Sequence, residues 1–233
     1  MLRDELSGKG VHQIDRYFHF APMEVVCDTE NKSVHTLSSK EGNVAMIGLE
    51  KEGIEVEILQ NGDSPQEGWI APGYDKKVRA SVARYRIKKQ VPLVLNTLLI
   101  PFRERCPDLL VKRLPLDAKT GDVLGQGFSI DVDRRHDVLF FYSGKEVVSF
   151  NNGWLTDAHM AWIRLDEKGD VVRCALIDGS TLFVEGIRLL QLSKNVRFAV
   201  ISFQTQKPCI ELSEPAEVSS ALSNPSIVIT PIP

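Results

Sequence analysis

Apolar and polar side chains alternate along most of this 233-residue chain with a period of two, the spacing of strands rather than helices. In GIEVEIL, Ile54, Val56 and Ile58 fall on one face while Glu55 and Glu57 fall on the other, as in an antiparallel strand with one wet side. KKVRASVARYRIKK continues in the same style, with Val78, Ala80 and Val82 alternating against Arg79, Ser81 and Ala83. VPLVLNTLLIPF is more uniformly apolar and suits a strand covered on both faces. Further strand-like runs recur at 43–49, 128–132, 137–142, 146–150, 158–165, 171–177, 181–190 and 196–204. Turn chemistry separates them: QNGDS at 60–64, YSGKE at 142–146, FNNGW at 150–154, DEKGD at 166–170 and IDGST at 177–181. No segment joins a capping residue to a helical apolar stripe. The pattern predicts an all-β chain of antiparallel sandwich layers.

One boundary stands out. LPLDAKTGDVLGQG (114–127) is polar and turn-rich between two strand-dense regions. It divides the chain into a partial sandwich over 1–115 and a smaller β domain over 125–212. The remainder, 213–233, is rich in Ser and Pro, and SIVIT within it suits an edge strand, where proline is tolerated.

Composition adds mostly exclusions. The net charge of -3, from 28 Lys+Arg against 31 Asp+Glu, gives no global field favouring nucleic acid or an anionic membrane. No stretch approaches the roughly 18 apolar residues of a membrane-spanning helix. MLRDELSGKG places charges where a signal peptide needs an apolar stretch. Cys27, Cys106, Cys174 and Cys209 are scattered without a CxxC pair, so the spacing of zinc and redox sites is missing and free, mostly buried thiols are expected. The residues call for no cofactor and no metal.

The histidines form no catalytic set. GKGVHQIDRYFHFAP carries His12 and His19 in one strand-like run. An odd separation turns them to opposite faces, and seven residues of strand place them roughly 23 Å apart. His19 shares a face with Asp15 and Tyr17, opposite Ile14, Phe18 and Phe20. His35 lies in a polar run. His136 in DVDRRHDV sits near Asp131 and Asp133, either a cation site or a charged hairpin end. His159 in TDAHMAW lies between Asp157 and Trp162, a polar cluster beside an aromatic ring. No GxSxG, HExxH, P-loop or dinucleotide fingerprint is present, and no residue is assigned a catalytic role.

Two features suit sugar. In ARYRIKK, Arg84, Arg86 and Lys88 share a face at steps of about 6.6 Å, either a ladder for the carboxylates or sulfates of an acidic glycan or a solvated sheet face. Trp69 and Tyr74 in GWIAPGYDKK lie in a Gly/Pro-rich loop, where aromatic rings either stack on sugars or anchor the loop.

RDELSGKGVHQIDRYFHFAP, GWIAPGYDKKV, LVLNTLLIPF and the later DVLFFYSGKE, LTDAH and DGSTLFVEG, in that order, resemble the heparinase II/III-like family of polysaccharide lyases over most of the chain up to about residue 190. The resemblance implies an α/α toroid joined to a downstream β-sandwich region, and β-elimination at a uronic acid. A base removes the proton α to the carboxyl group while an acid assists the leaving glycosidic oxygen. It also implies that Asn, His and Tyr of the toroid and a His early in the sandwich carry these roles, beside a His/Asp-rich stretch that can hold a structural metal. All of these would lie upstream of Met1, so none maps onto a position here. The expectation is therefore the C-terminal β-sandwich region of such a lyase, inactive by itself. The alternative is a stand-alone carbohydrate-binding or structural module. The implied partners are an acidic polysaccharide and the toroid-bearing half, with self-association through an exposed sheet edge; the family is commonly exported or periplasmic.

Overall fold

The computed structural model of the chain describes residues 1–38, 42–60, 62, 68–115, 125–151, 153–203, 208–221 and 226–229. Among them there is no helix, and all but one of the strand pairings are antiparallel, as the period-two pattern predicts. Among the described residues no helix is long and apolar enough to cross a membrane. The chain divides into two compact units, Met1–Pro107 and Asp108–Pro233.

The first unit contains β1 (Leu2–Leu6), β2 (Val11–His19), β3 (Glu24–Asp28), β4 (Ser33–Leu37), β5 (Asn43–Gly48), β6 (Ile54–Leu59), β7 (Trp69–Gly73), β8 (Lys76–Arg79), β9 (Val82–Gln90) and β10 (Leu93–Phe102). A five-stranded sheet runs β1-β10-β5-β4-β3, a three-stranded sheet runs β2-β9-β6, and β7–β8 form a separate hairpin. The two larger sheets make a sandwich. Ile54, Val56, Tyr85 and Ile87 of the smaller sheet pack on Val34, Met46 and Leu95 of the larger. The alternation of GIEVEIL thus does what it predicts: one face of β6 is buried and Glu55 and Glu57 are exposed. Tyr85 is 1% exposed, its hydroxyl donates to the Met46 carbonyl at 3.2 Å, and a Cβ on Gly48 would meet its ring at 3.4 Å. Burial pushes the Tyr85 phenol well above its ordinary range.

KKVRASVARYRIKK is not one strand. It breaks at Ala80–Ser81, where the Ala80 amide donates to the Gly68 carbonyl and the Phe20 amide donates to the Ser81 carbonyl. Those two bonds fasten the hairpin and the end of β2 to the start of β9.

The second unit contains β11 (Leu109–Leu114), β12 (Gln126–Val132), β13 (Arg135–Phe141), β14 (Val148–Phe150), β15 (Trp154–Thr156), β16 (Met160–Leu165), β17 (Val171–Val184), β18 (Ile187–Ser202), β19 (Cys209–Leu212), β20 (Val218–Ser219) and β21 (Ser226–Ile229). They form one sheet, β11-β12-β13-β16-β17-β18-β19-β21, with β14 and β15 joined through β17, and β20 through β18. The long strands β17 and β18 belong to two layers. The first half of β17 pairs β16, and its second half pairs β15. The sheet folds over itself, enclosing Phe140, Ile163, Leu176 and Ile201 of one layer against Phe150, Leu182 and Leu190 of the other. The Phe140 and Phe150 rings stack at 4.1 Å.

The turn expected at 177–181 is instead a register shift inside β17, and the chain reverses at Glu185–Gly186. The composition-based boundary at 114–127 lies one strand beyond the division at 107/108, because Leu109–Leu114 pairs with Gln126–Val132. Residues 116–124 of that stretch, and most of QNGDS, fall outside the described residues. SIVIT supplies β21, an edge strand that runs parallel to β19.

Candidate functional site

Hairpin β7–β8 gathers the aromatic and cationic groups of GWIAPGYDKK. Gly73 pairs with Lys76 across the two-residue turn Tyr74–Asp75, and Asp75 takes positive φ there. Tyr74 is 100% exposed at the tip. Trp69 faces Arg79 across the hairpin, and Lys77, two residues along, lies on the same side. The Lys77 ammonium is 4.0 Å from the Trp69 ring centroid and the Arg79 guanidinium 5.6 Å away, both within cation–π range. The Trp69 indole N–H donates to the Gly62 carbonyl at 2.8 Å. That bond fixes the ring, so Trp69 both anchors the loop and presents an aromatic surface with two cations on it. Lys77 and Arg79 were not singled out from the sequence. Spacing hides them: a two-residue turn at Tyr74–Asp75 alone would pair Trp69 with Ala80 and turn Lys77 and Arg79 to the opposite face, and the bulge between Ile70 and Gly73 brings them to Trp69's side.

Beside the hairpin is an open cleft of about 330 Å³, lined by Pro22, Met23, Gln60, Gly68, Arg79 and Ser81 among others. This is the low end of the roughly 300–1,000 Å³ typical of small-molecule sites. The Gln60 amide donates to the Ser81 hydroxyl at 2.8 Å, and Arg79 is the charged group among the described residues of its wall.

The ladder of Arg84, Arg86 and Lys88 occupies the outward face of β9, as its spacing predicts, but carboxylates flank it. Asp15 and Glu55 stand on either side of Arg86, and Glu57 stands beside Arg84. Arg86 grips Asp15 through two bonds of 2.7 and 3.2 Å. Arg84 Nε donates to Glu57 at 2.6 Å, and its Nη2 contacts the same oxygen. Arg86 holds the Asp15 carboxyl below its ordinary value, and the carboxylates push both guanidinium values up. Lys88 is exposed opposite Gln13. The two arginines are thus flanked by three carboxylates, and a polyanion would have to displace Asp15 and Glu57 to reach them.

The remaining groups are held by the fold. His12 is exposed and its Nε2 meets the Lys9 carbonyl at 2.9 Å, while His19 is exposed at the far end of β2. His35 packs edge-on to Phe102. His136 Nδ1 meets Asp131 at 2.5 Å on the wall of an open, charged cleft at the β12–β13 turn. Asp157 is buried at the bend of β17 and is separated in role from exposed His159, whose backbone bonds to Tyr142 and Asp178. Among the described residues no three His, Cys, Asp or Glu are placed to hold a metal ion. None of the four cysteines is in a disulfide; Cys174 is buried and the others are half-buried. Burial pushes the Cys174 thiol up to about 12.

The hairpin is therefore where an exposed aromatic, cations and a cleft meet. The sequence matches no protein-family model and no curated protein.

Proposed function

We propose that this chain is the C-terminal β-sandwich region of a heparinase II/III-like polysaccharide lyase, and that hairpin β7–β8 contacts its acidic glycan. The observation that supports this most is the pairing of Trp69 with Lys77 and Arg79 beside the cleft. An indole offers a flat apolar surface to a sugar ring, and cations next to it offer charge-assisted bonds to carboxylate or sulfate. The catalytic base and acid are supplied by residues outside this chain, which by itself binds without cleaving.

Affinity electrophoresis through heparin tests the reading. The expected outcome is retardation that weakens with added salt and drops several-fold in a Lys77→Ala/Arg79→Ala double variant. Arg86→Ala is expected to leave retardation intact, because Arg86 is already occupied by Asp15. Equal migration with and without heparin would rule out the hairpin contact. Unsaturated uronate released by this chain alone would overturn the claim that it does not cleave.

One observation favours a second reading, a stand-alone structural module: the saturation of Arg84 and Arg86 by carboxylates, which is how a sheet face built for stability is arranged.

A further inference from the structure

The outward face of β16–β17–β18 in the second unit presents two rows of side chains. Trp162, Ala175 and Val200 align across the three strands, and Arg164, Arg173 and Ser202 align in the next row. The rows lie about 6.6 Å apart, two residues along the strands. The first row is partly exposed and Arg173 is exposed.

The two arginines of the second row stand directly opposite each other, a like-charge arrangement that is destabilising unless countered. Arg164 is countered. Asp137 accepts from its Nε at 2.8 Å and its Nη2 at 2.9 Å, and from the Trp162 indole N–H at 3.1 Å. Arg164 also lies 4.9 Å from the Trp162 ring centroid. Both Asp137 oxygens are thereby committed, and the indole is locked in place. Arg173 is different: among the described residues it has no hydrogen-bond acceptor and no carboxylate partner. Its guanidinium therefore adds an uncompensated, two-pronged donor to a face whose neighbouring strip is apolar across β16–β18 and ends, opposite Val200, on the half-buried Glu211 of β19.

We propose that this face is a second ligand site, separate from hairpin β7–β8, that takes an acidic sugar residue. Arg173 grips the planar carboxylate bidentately, the Ser202 hydroxyl beside it bonds a ring hydroxyl, and the sugar's apolar face lies on Trp162, Ala175 and Val200. Charge complementarity selects the ligand: the face has a fixed ring, an apolar strip and one unmatched cation, which a uronic acid complements with one anion and one apolar side. The site rests on the second unit alone and does not depend on the hairpin.

Its test is a titration of the full chain with sodium galacturonate, followed by the indole N–H signals of the three tryptophans in NMR, each assigned by substitution. The expected result is a saturable shift of the Trp162 signal with none at buried Trp154. Arg173→Ala is expected to weaken binding at Trp162 at least about tenfold and to leave any response at Trp69 unchanged, with Arg173→Lys intermediate. A Trp162 signal that does not move, or moves equally in Arg173→Ala, overturns the proposal. So does an equal shift with sodium sulfate, which would make this a general anion site, or a shift with an oligoglutamate peptide in place of galacturonate. Movement at Trp162 without Trp69 would count against the hairpin alone, and the reverse against this site alone.

Discussion

The carboxylate of Asp157 is buried and accepts three hydrogen bonds, from the Ser180 amide at 2.9 Å, the Ser180 hydroxyl at 2.6 Å and the Thr181 amide at 2.8 Å. These donors belong to the bend in β17, where the ladder to β18 jumps register between Gly179 and Thr181 and leaves Ser180 without a partner in it. Asp157→Ala is therefore expected to cost about 3 kcal/mol, seen as a lower urea midpoint, because buried donors would be left without acceptors. Gly179 contributes from the other side: a Cβ there would lie 2.5 Å from Ala158, so no larger residue fits without moving backbone. The half-buried pair of Asp15 and Arg86 acts on pH dependence instead. Arg86 lowers the Asp15 value in the folded chain below its ordinary 3.8. The stability this contributes is present above 3.8 and is lost as pH falls through the folded value. Urea midpoints measured from pH 5 down to pH 2 are expected to fall less steeply in Asp15→Asn than in the wild type, and parallel curves would contradict the assignment.

At the scale of elements, strands with one wet face were legible in the sequence. Ile54, Val56 and Ile58 alternate with glutamates because one side of β6 meets a core and the other meets water, and a period of two records that directly. β10 was legible for a different reason: consecutive residues from Val94 to Leu98 are buried, so both faces are covered, which a near-continuous apolar run records. Strand ends were harder. Ala80–Ser81 interrupts an unbroken alternation because tertiary bonds from Gly68 and Phe20 capture the backbone there, and no local residue announces them. IDGST was misleading in the opposite direction: Asp178 and Gly179 carry turn chemistry, yet the strand continues through them as a bend between layers. The candidate site was partly legible. Tyr74 sits in a turn, as its Gly/Pro-rich context suggests, but Trp69 opens strand β7 instead of lying in a loop, and the neutralising partners of Arg84 and Arg86 come from strands β6 and β2, distant in sequence and invisible to local spacing.

Across the whole molecule, the two units are built by different means. The first closes long-range pairs, with Leu2 opposite Thr97, whereas the second hangs both of its layers on one long hairpin. β17 and β18 pair from Val184 opposite Ile187 back to Arg173 opposite Ser202, and the exposed turn between them is only Glu185 and Gly186, both at positive φ. Everything that holds the two strands together lies along their length, and almost nothing lies at the tip. The protein can therefore be divided there and remain whole. A protease site inserted between Glu185 and Gly186 is expected to yield, on cleavage, two pieces that co-elute in native gel filtration and separate only in denaturant; pieces that part without denaturant would contradict this. The same position suits new chain ends in a circular permutant, or the junction at which two separately expressed halves reconstitute one fold.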